Sequence, residues 1–581
     1  MLTQLPASVA PRAAPTFWSN SRSLHASLLG GAAALLTLAA APLAAQEPST
    51  TEGPISVVQV EGGQVQGVET DVPGVKVFKG IPYAASTAGQ NRFRPPQPVE
   101  PWEGVKVSDT WGDQVLQDVN LNPVGGFWGD EFYYDPEFMP PASENGLNLN
   151  VFTPAQRAGD RLPVYVWIHG GGNDHGFASE IEFWAPKLAA KGIIVVPVQY
   201  RVGGFGFLAL DELSQENPQG VSGNQALLDL VAALEWVRDN IEGFGGDPSS
   251  VTIGGQSAGA SNTVALLRSP LAEGLFQRAV IQSTGSGILP GEFAQLEERE
   301  AANAAALEEI FGRPMSLADL RAVPAEDFLT TKVGEEQTML FNAFDAAVVS
   351  PPWTLDGVAF TEESIDLLRP GALDGIDILI GATADERTST VGDPNGTMTE
   401  EEFAAAMQNV YGETYREVYE PSDPQDAYRL ALRAEADYRL QGALVSAELA
   451  KARNPDSNVF AYYFNHTPPG RNAEFYGSYH SSDLWYFFNS LREWPGQRHW
   501  TDADYRMAET ISSYLANFVK TGDPNGENLA EWPQPVDGPA FLRFADGYAY
   551  PVTSTPYPSR DATNRAALLE DQALVEADLR P

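Results

Sequence analysis

The sequence predicts an α/β fold in which a large, mostly parallel central sheet is flanked by helices. Three observations carry this. Short β-branched runs alternate with helical patterns as far as about residue 285, which is how buried parallel strands joined by helices read in sequence. The composition, 43% hydrophobic and 19% charged over 581 residues, can bury a large core and is unlike that of a disordered chain. No internal repeat, heptad run or long low-complexity linker interrupts the chain after Gln46. At about 150 residues per domain the length allows several domains, yet a single α/β enzyme with insertions also reaches this size.

In chain order, the expected strands are VYVWIH (Val164 to His169), IIVVPVQY (Ile193 to Tyr200), VTIGG (Val251 to Gly255) and AVIQS (Ala279 to Ser283). A helix is expected over Asn224 to Ile241, between the second and third of these. Leu296 to Asp327 is rich in Ala, Glu and Leu and reads as inserted helices. Strand signals return at DILIGAT (Asp377 to Thr383) and VFAYYFN (Val459 to Asn465). Thr399 followed by Glu402 forms a capping box that starts a helix between them. The expected organisation is one α/β domain over 46–581, with helical insertions at about 290–350 and 395–455.

The ends and the charge bound the setting. Residues 1–45 carry Arg12 and Arg22, no acidic residue and the apolar run ASLLGGAAALLTLAAAPLAA, the pattern of a cleavable signal peptide. Pro42 and the Ala-rich composition favour cleavage over a retained membrane anchor, so the mature chain is expected to be exported, periplasmic or secreted, without stable membrane insertion. A formal net charge of −41 disfavours nucleic acid, which needs basic surface to displace counterions. The complete absence of cysteine removes disulfides, thiolate nucleophiles, Cys-ligated zinc and iron–sulfur clusters together.

Gly255-Gln256-Ser257-Ala258-Gly259 follows the strand VTIGG and precedes a helical pattern, the context in which G-x-S-x-G reads as a nucleophile elbow of an α/β-hydrolase fold. A Ser on such a sharp turn projects its hydroxyl above the sheet, beside the free N–H groups of the following helix. Upstream, VYVWIH runs into His169-Gly170-Gly171-Gly172, where glycines let backbone N–H groups converge on one point. No G-K-[ST] follows, so a phosphate loop is poorly supported. Gly171, Gly172 and Ala258 are the expected oxyanion-hole donors.

With these motifs in place, the chain resembles the type-B carboxylesterases, the family that includes cholinesterases and bacterial para-nitrobenzyl esterases. FGGDPSSVTIGGQSAG (Phe244 to Gly259) is similar to the family's serine signature along its length, and ENGLNLNVFTP (Glu144 to Pro154) to its second signature, with Gly146 where cysteine is usual. FKGIPYA, RFRPPQPVEPW, YRVGGFGFL and FVKTGDPNG with EWP extend the likeness in order from about Val57 to Pro533. The resemblance implies a serine hydrolase of carboxylic esters working through an acyl-enzyme, on a small-molecule substrate and with no metal or cofactor.

A serine hydroxyl needs an imidazole to accept its proton and a carboxylate to hold that ring in the useful tautomer. Five histidines follow Gln46: His169, His175, His466, His480 and His499. His480, in GSYHSSDLW, stands where the family carries its catalytic histidine, and Glu386, in GATADER, where it carries the acid. His175, near the glycine loop, is the rival base and Asp385 the fallback acid. The order Ser257, Glu386, His480 is the one expected of an α/β-hydrolase. Gln256 replaces the Glu of many relatives, Asn173 a common aromatic and Arg387 a glycine, and none of the three belongs to the triad. Amide, carbamate or lactone hydrolysis shares the same attack chemistry, and a non-catalytic binding module on this fold would have lost its serine. Oligomeric state and natural substrate are not legible here.

Overall fold

The computed structural model describes residues 55–569 apart from 120, 336, 349–351 and 494–497, and the leader read over 1–45 lies outside them. Among the described residues, eleven strands build the central sheet: β1 (Val68–Glu69), β2 (Lys76–Pro82), β3 (Asn148–Thr153), β4 (Leu162–Ile168), β5 (Ile194–Val198), β6 (Gly246–Gln256), β7 (Arg278–Gln282), β8 (Asp377–Thr383), β9 (Val459–Phe464), β10 (Phe541–Ala545) and β11 (Tyr548–Val552). Across the sheet the order is β11-β10-β9-β8-β7-β6-β4-β5-β3-β2-β1. The stretch from β5 to β10 is parallel throughout. The pairings at the two ends are antiparallel. A small separate sheet joins Val57–Val60, Gly63–Gln66 and Val105–Val107.

Strand side chains alternate between two apolar cores, as the period of two demands. In β4, Val164, Val166 and Ile168 enter one core while Tyr165 and Trp167 enter the other. In β8, Ile378 and Ile380 face the first core and Leu379 the second. Helix α1 (Gln225–Asn240) presents Leu227, Leu230, Leu234 and Val237 to the first core, a spacing of three and four that puts them on one helical face. Helices α2 (Ala258–Arg268) and α3 (Pro424–Arg453) join it on that side. Helix α4 (Asp502–Thr521) covers the other side with Met507, Ile511, Leu515 and Phe518. Each such fully buried side chain stabilises the fold by about 1.5–3 kcal/mol. Covering both faces is what permits the continuous apolar strands.

The inserted stretches are helical at Leu296–Phe311, Leu317–Ala322, Ala325–Thr330 and Leu340–Val348, then at Glu400–Tyr411 and in α3. The Thr399 hydroxyl accepts from Glu402 N–H and the Glu402 carboxylate accepts from Thr399 N–H, so the capping box forms as its sequence indicates. Among the described residues no helix is long and apolar enough to cross a membrane.

Register decides where chemistry can occur. Gly255 pairs with Ile168, Gln256 with Gln282, and Gln282 with Gly381. The carboxyl ends of β4, β6, β7 and β8 therefore lie level, and the segments that leave them emerge side by side. In open α/β sheets this edge is where ligands bind.

Candidate active site

The turn after β6 is forced by its neighbours. Ser257 adopts φ 58° and ψ −125°, outside the regions open to an ordinary L-residue, and its N–H is anchored by donation to Gln282 O at 2.9 Å. A Cβ on Gly255 would stand 2.3 Å from Gly259 O, and one on Gly259 would stand 2.1 Å from Ile168 O. Only glycine therefore lets helix α2 start this close to β4. Ala258 is the first residue of α2, whose leading N–H groups have no intrahelical acceptor.

The glycine loop after β4 lies against this turn, since a Cβ on Gly170 would come within 3.2 Å of Ser257 Cβ. Gly171 and Gly172 take φ of 98° and 64°, left-handed values that suit glycine. Among the described residues the N–H groups of Gly171, Gly172 and Ala258 have no protein acceptor. His169 supports the loop from beneath. Its Nδ1 lies 2.9 Å from Gly170 O, its ring stacks on Tyr200 with centroids 4.4 Å apart, and burial pushes its pKa down to about 3. It is a neutral packing group.

Glu386 and His480 meet from loops far apart in sequence. The His480 Nδ1–H donates to Glu386 Oε2, and Glu386 Oε1 accepts from Thr383 N–H at 2.8 Å. Burial alone would raise the Glu386 pKa, but the His480 ring, the Ser283 hydroxyl and the Thr383 N–H outweigh it and hold the carboxyl below its usual range. The carboxylate stays ionised and fixes the ring with its proton on Nδ1, leaving Nε2 as the acceptor. Among the described residues no hydrogen bond joins Ser257 Oγ to that nitrogen, which instead receives the Gln256 carboxamide at 3.1 Å. Gln256 immediately precedes Ser257, so this contact brings His480 to the turn after β6.

The remaining histidines have other partners, and His175 lies on the glycine loop, its N–H donating to Gly171 O at 3.0 Å. His175 Nδ1 donates to Asp174; burial lowers its pKa and Asp174 more than restores it, for a net rise. His466, two residues past the end of β9, is bound to Asp504 at 2.8 Å, and His499 is exposed beside Glu493. Asp385, the fallback acid, turns away from the ring toward Ser478 and Arg433. The aromatic segment 125–138 contributes largely to packing: Phe132, Tyr134 and Phe138 are buried in the second core. Sequence reasoning flagged Gln256 as a departure without foreseeing its contact with His480. It also missed Asp483, fully buried behind the pair, which accepts from Tyr462 OH at 2.7 Å and whose pKa burial pushes up to about 6.

Residues 54–542 match the profile of the carboxylesterase family. The chain belongs to the carboxylesterase family. Among curated relatives of this carboxylesterase, the para-nitrobenzyl esterase of Bacillus subtilis (strain 168) is 33% identical over 489 residues, covering 82% of this chain and 92% of that protein. The fumonisin B1 esterase of Sphingopyxis macrogoltabida is 33% identical over 514 residues, covering 86% and 87%. Among solved structures, a thermophilic PNB esterase superposes with a TM-score of 0.69 at 30% identity, covering 88% of this chain and all (100%) of that one. A carboxylesterase of Geobacillus stearothermophilus gives 0.68 at 31%, covering 87% and 99%. The fold is thus the α/β-hydrolase fold, and the carboxylesterase is a hydrolase of small-molecule carboxylic esters.

Proposed function

We propose that this esterase works through an acyl-enzyme formed on Ser257, with His480 as base and Glu386 as the residue that orients it. The observation that carries the reading is the His480 ring, fixed through Nδ1 by an ionised Glu386 and presenting Nε2 beside the strained serine turn. His480 takes the serine proton as Oγ attacks the ester carbonyl. The developing oxyanion is received by the N–H groups of Gly171, Gly172 and Ala258, which among the described residues have no protein acceptor. The imidazolium, stabilised by Glu386, then protonates the leaving alcohol. Water follows the same route to release the acid.

Ser257→Ala tests this directly. Turnover of para-nitrophenyl acetate should fall by about 10⁴-fold or more, and a fluorophosphonate should no longer label the protein. Retained turnover or labelling would remove Ser257 from the mechanism.

A further inference from the structure

The proposed base and acid stand 94 residues apart on loops that follow different strands, and the chemistry itself does nothing to hold those loops together. Asp385, the neighbour of Glu386, does so from both its backbone and its side chain. Its N–H donates to Ser478 O at 3.0 Å, and its Oδ2 accepts from Ser478 N–H at 2.9 Å. The first of these is a backbone rung of a short parallel bridge between Asp385 and Tyr479, the residue before His480, and the second reinforces it from the side chain. Thr388 adds a second staple, its hydroxyl lying 2.8 Å from Asp385 O and 2.7 Å from Tyr476 O so that its one proton is shared between the two carbonyls.

The clamp is locked from outside. Arg433, on the inserted helix α3, meets Asp385 Oδ1 at 2.5 Å. Its other nitrogens reach Asp437 Oδ1 at 3.1 Å and Tyr463 OH at 3.3 Å, so the guanidinium is tied to its own helix and to β9. Gly477, at φ +58°, leaves the room this needs, because a Cβ there would stand 2.2 Å from Asp385 Oδ2. An ordinary surface ion pair would not bond the backbone two residues before the catalytic ring.

We infer that Asp385, held by Arg433, is a positioning residue for ester hydrolysis: it sets how the His480 ring sits on Glu386 without touching substrate. The inference rests on the triad reading above. A displacement of about 1 Å at such a pair can cost about 10²-fold in rate. Asp385→Ala should therefore lose about 10²-fold in kcat and in fluorophosphonate labelling rate, with KM for para-nitrophenyl acetate within about twofold of the parent. Asp385→Asn, whose amide oxygen can still accept from Ser478 N–H while its NH2 would face the Arg433 donors, and Arg433→Met, which keeps the Ser478 contact, should each fall between the parent and Asp385→Ala in both rates. Unchanged kcat and labelling in Asp385→Ala would overturn the inference. So would losses that follow Tm across all three variants rather than being deepest in Asp385→Ala. If Asp385→Ala does not fold, the Asn and Met variants decide on the same readouts. Ser257→Ala keeps the two readings apart: if it stays active the triad itself fails, whereas a dead Ser257→Ala beside a fully active Asp385→Ala removes only the clamp.

Discussion

The serine turn and the Glu386–His480 pair arrive at the same edge of the sheet by opposite means. The turn is held by backbone: a strained Ser257 between two glycines whose missing Cβ atoms let α2 press against β4. The pair is held by side chains, with Glu386 on Thr383 and His480, and Asp385 on Ser478 and Arg433. One is local and steric, the other long-range and polar. A single added methyl group should therefore break the first, whereas the second fails by losing a charge or an acceptor.

The largest expected effect follows from adding that methyl group. Gly259→Ala puts a Cβ 2.1 Å from Ile168 O, so either α2 or β4 must shift. Unfolding free energy should drop by about 1–3 kcal/mol and turnover by about 10²-fold, measured by urea unfolding and ester hydrolysis. A variant matching the parent in both would show that the turn is not sterically fixed.

A smaller effect tests the support beneath the glycine loop. The His169 pKa is pushed down to about 3, against an ordinary value of 6.5. Above pH 6.5 the ring is neutral folded or unfolded and adds no pH dependence. As pH falls below 6.5 the unfolded chain takes up a proton that the folded ring refuses, so stability drops by up to about 1.4 kcal/mol per pH unit. Burial raises Asp345 to about 7 and Asp483 to about 6, and raised acids act in the opposite sense over this window. Comparing urea midpoints of the parent and His169→Asn between pH 6.5 and 5 isolates the ring: the parent should lose more stability than the variant. Parallel curves would mean that the ring titrates normally.

The smallest effect lies where the two regions touch. Gln256→Leu removes the amide that donates to His480 Nε2 at 3.1 Å and leaves that nitrogen to Ser257. One hydrogen bond is worth about 0.5–1.5 kcal/mol, so fluorophosphonate labelling should quicken by less than about tenfold. A slower variant would mean that the amide steadies the ring more than it competes for it.

What sequence disclosed follows the same division. The elbow lies within five consecutive residues, Gly255 to Gly259, so its steric logic can be read from the letters alone. The strands β4 to β9 announce themselves as apolar runs because both their faces are covered. The edge strand β1 has two residues and leaves no periodic trace. Asp385 and Glu386 are adjacent carboxylates that no local pattern ranks, and their roles part only through Ser478, Arg433 and His480, which lie 48 to 94 residues away. The Gln256 contact spans 224 residues and was equally out of reach.

The segment at Gly146, where the resemblance leads to an expectation of cysteine, has a consequence for how this protein can be made. A side chain at 146 would meet Val115 N at 2.5 Å, so the position is filled by neighbouring backbone. The segment is tied instead by Arg92, whose Nε and Nη2 grip the Glu144 carboxylate at 2.6 and 2.7 Å, and by the Asn148 amide on Gly146 O at 3.0 Å. With no thiol in the chain, folding needs no oxidant, no disulfide isomerase and no particular glutathione balance. Thiol reagents in an assay have nothing in the enzyme to react with.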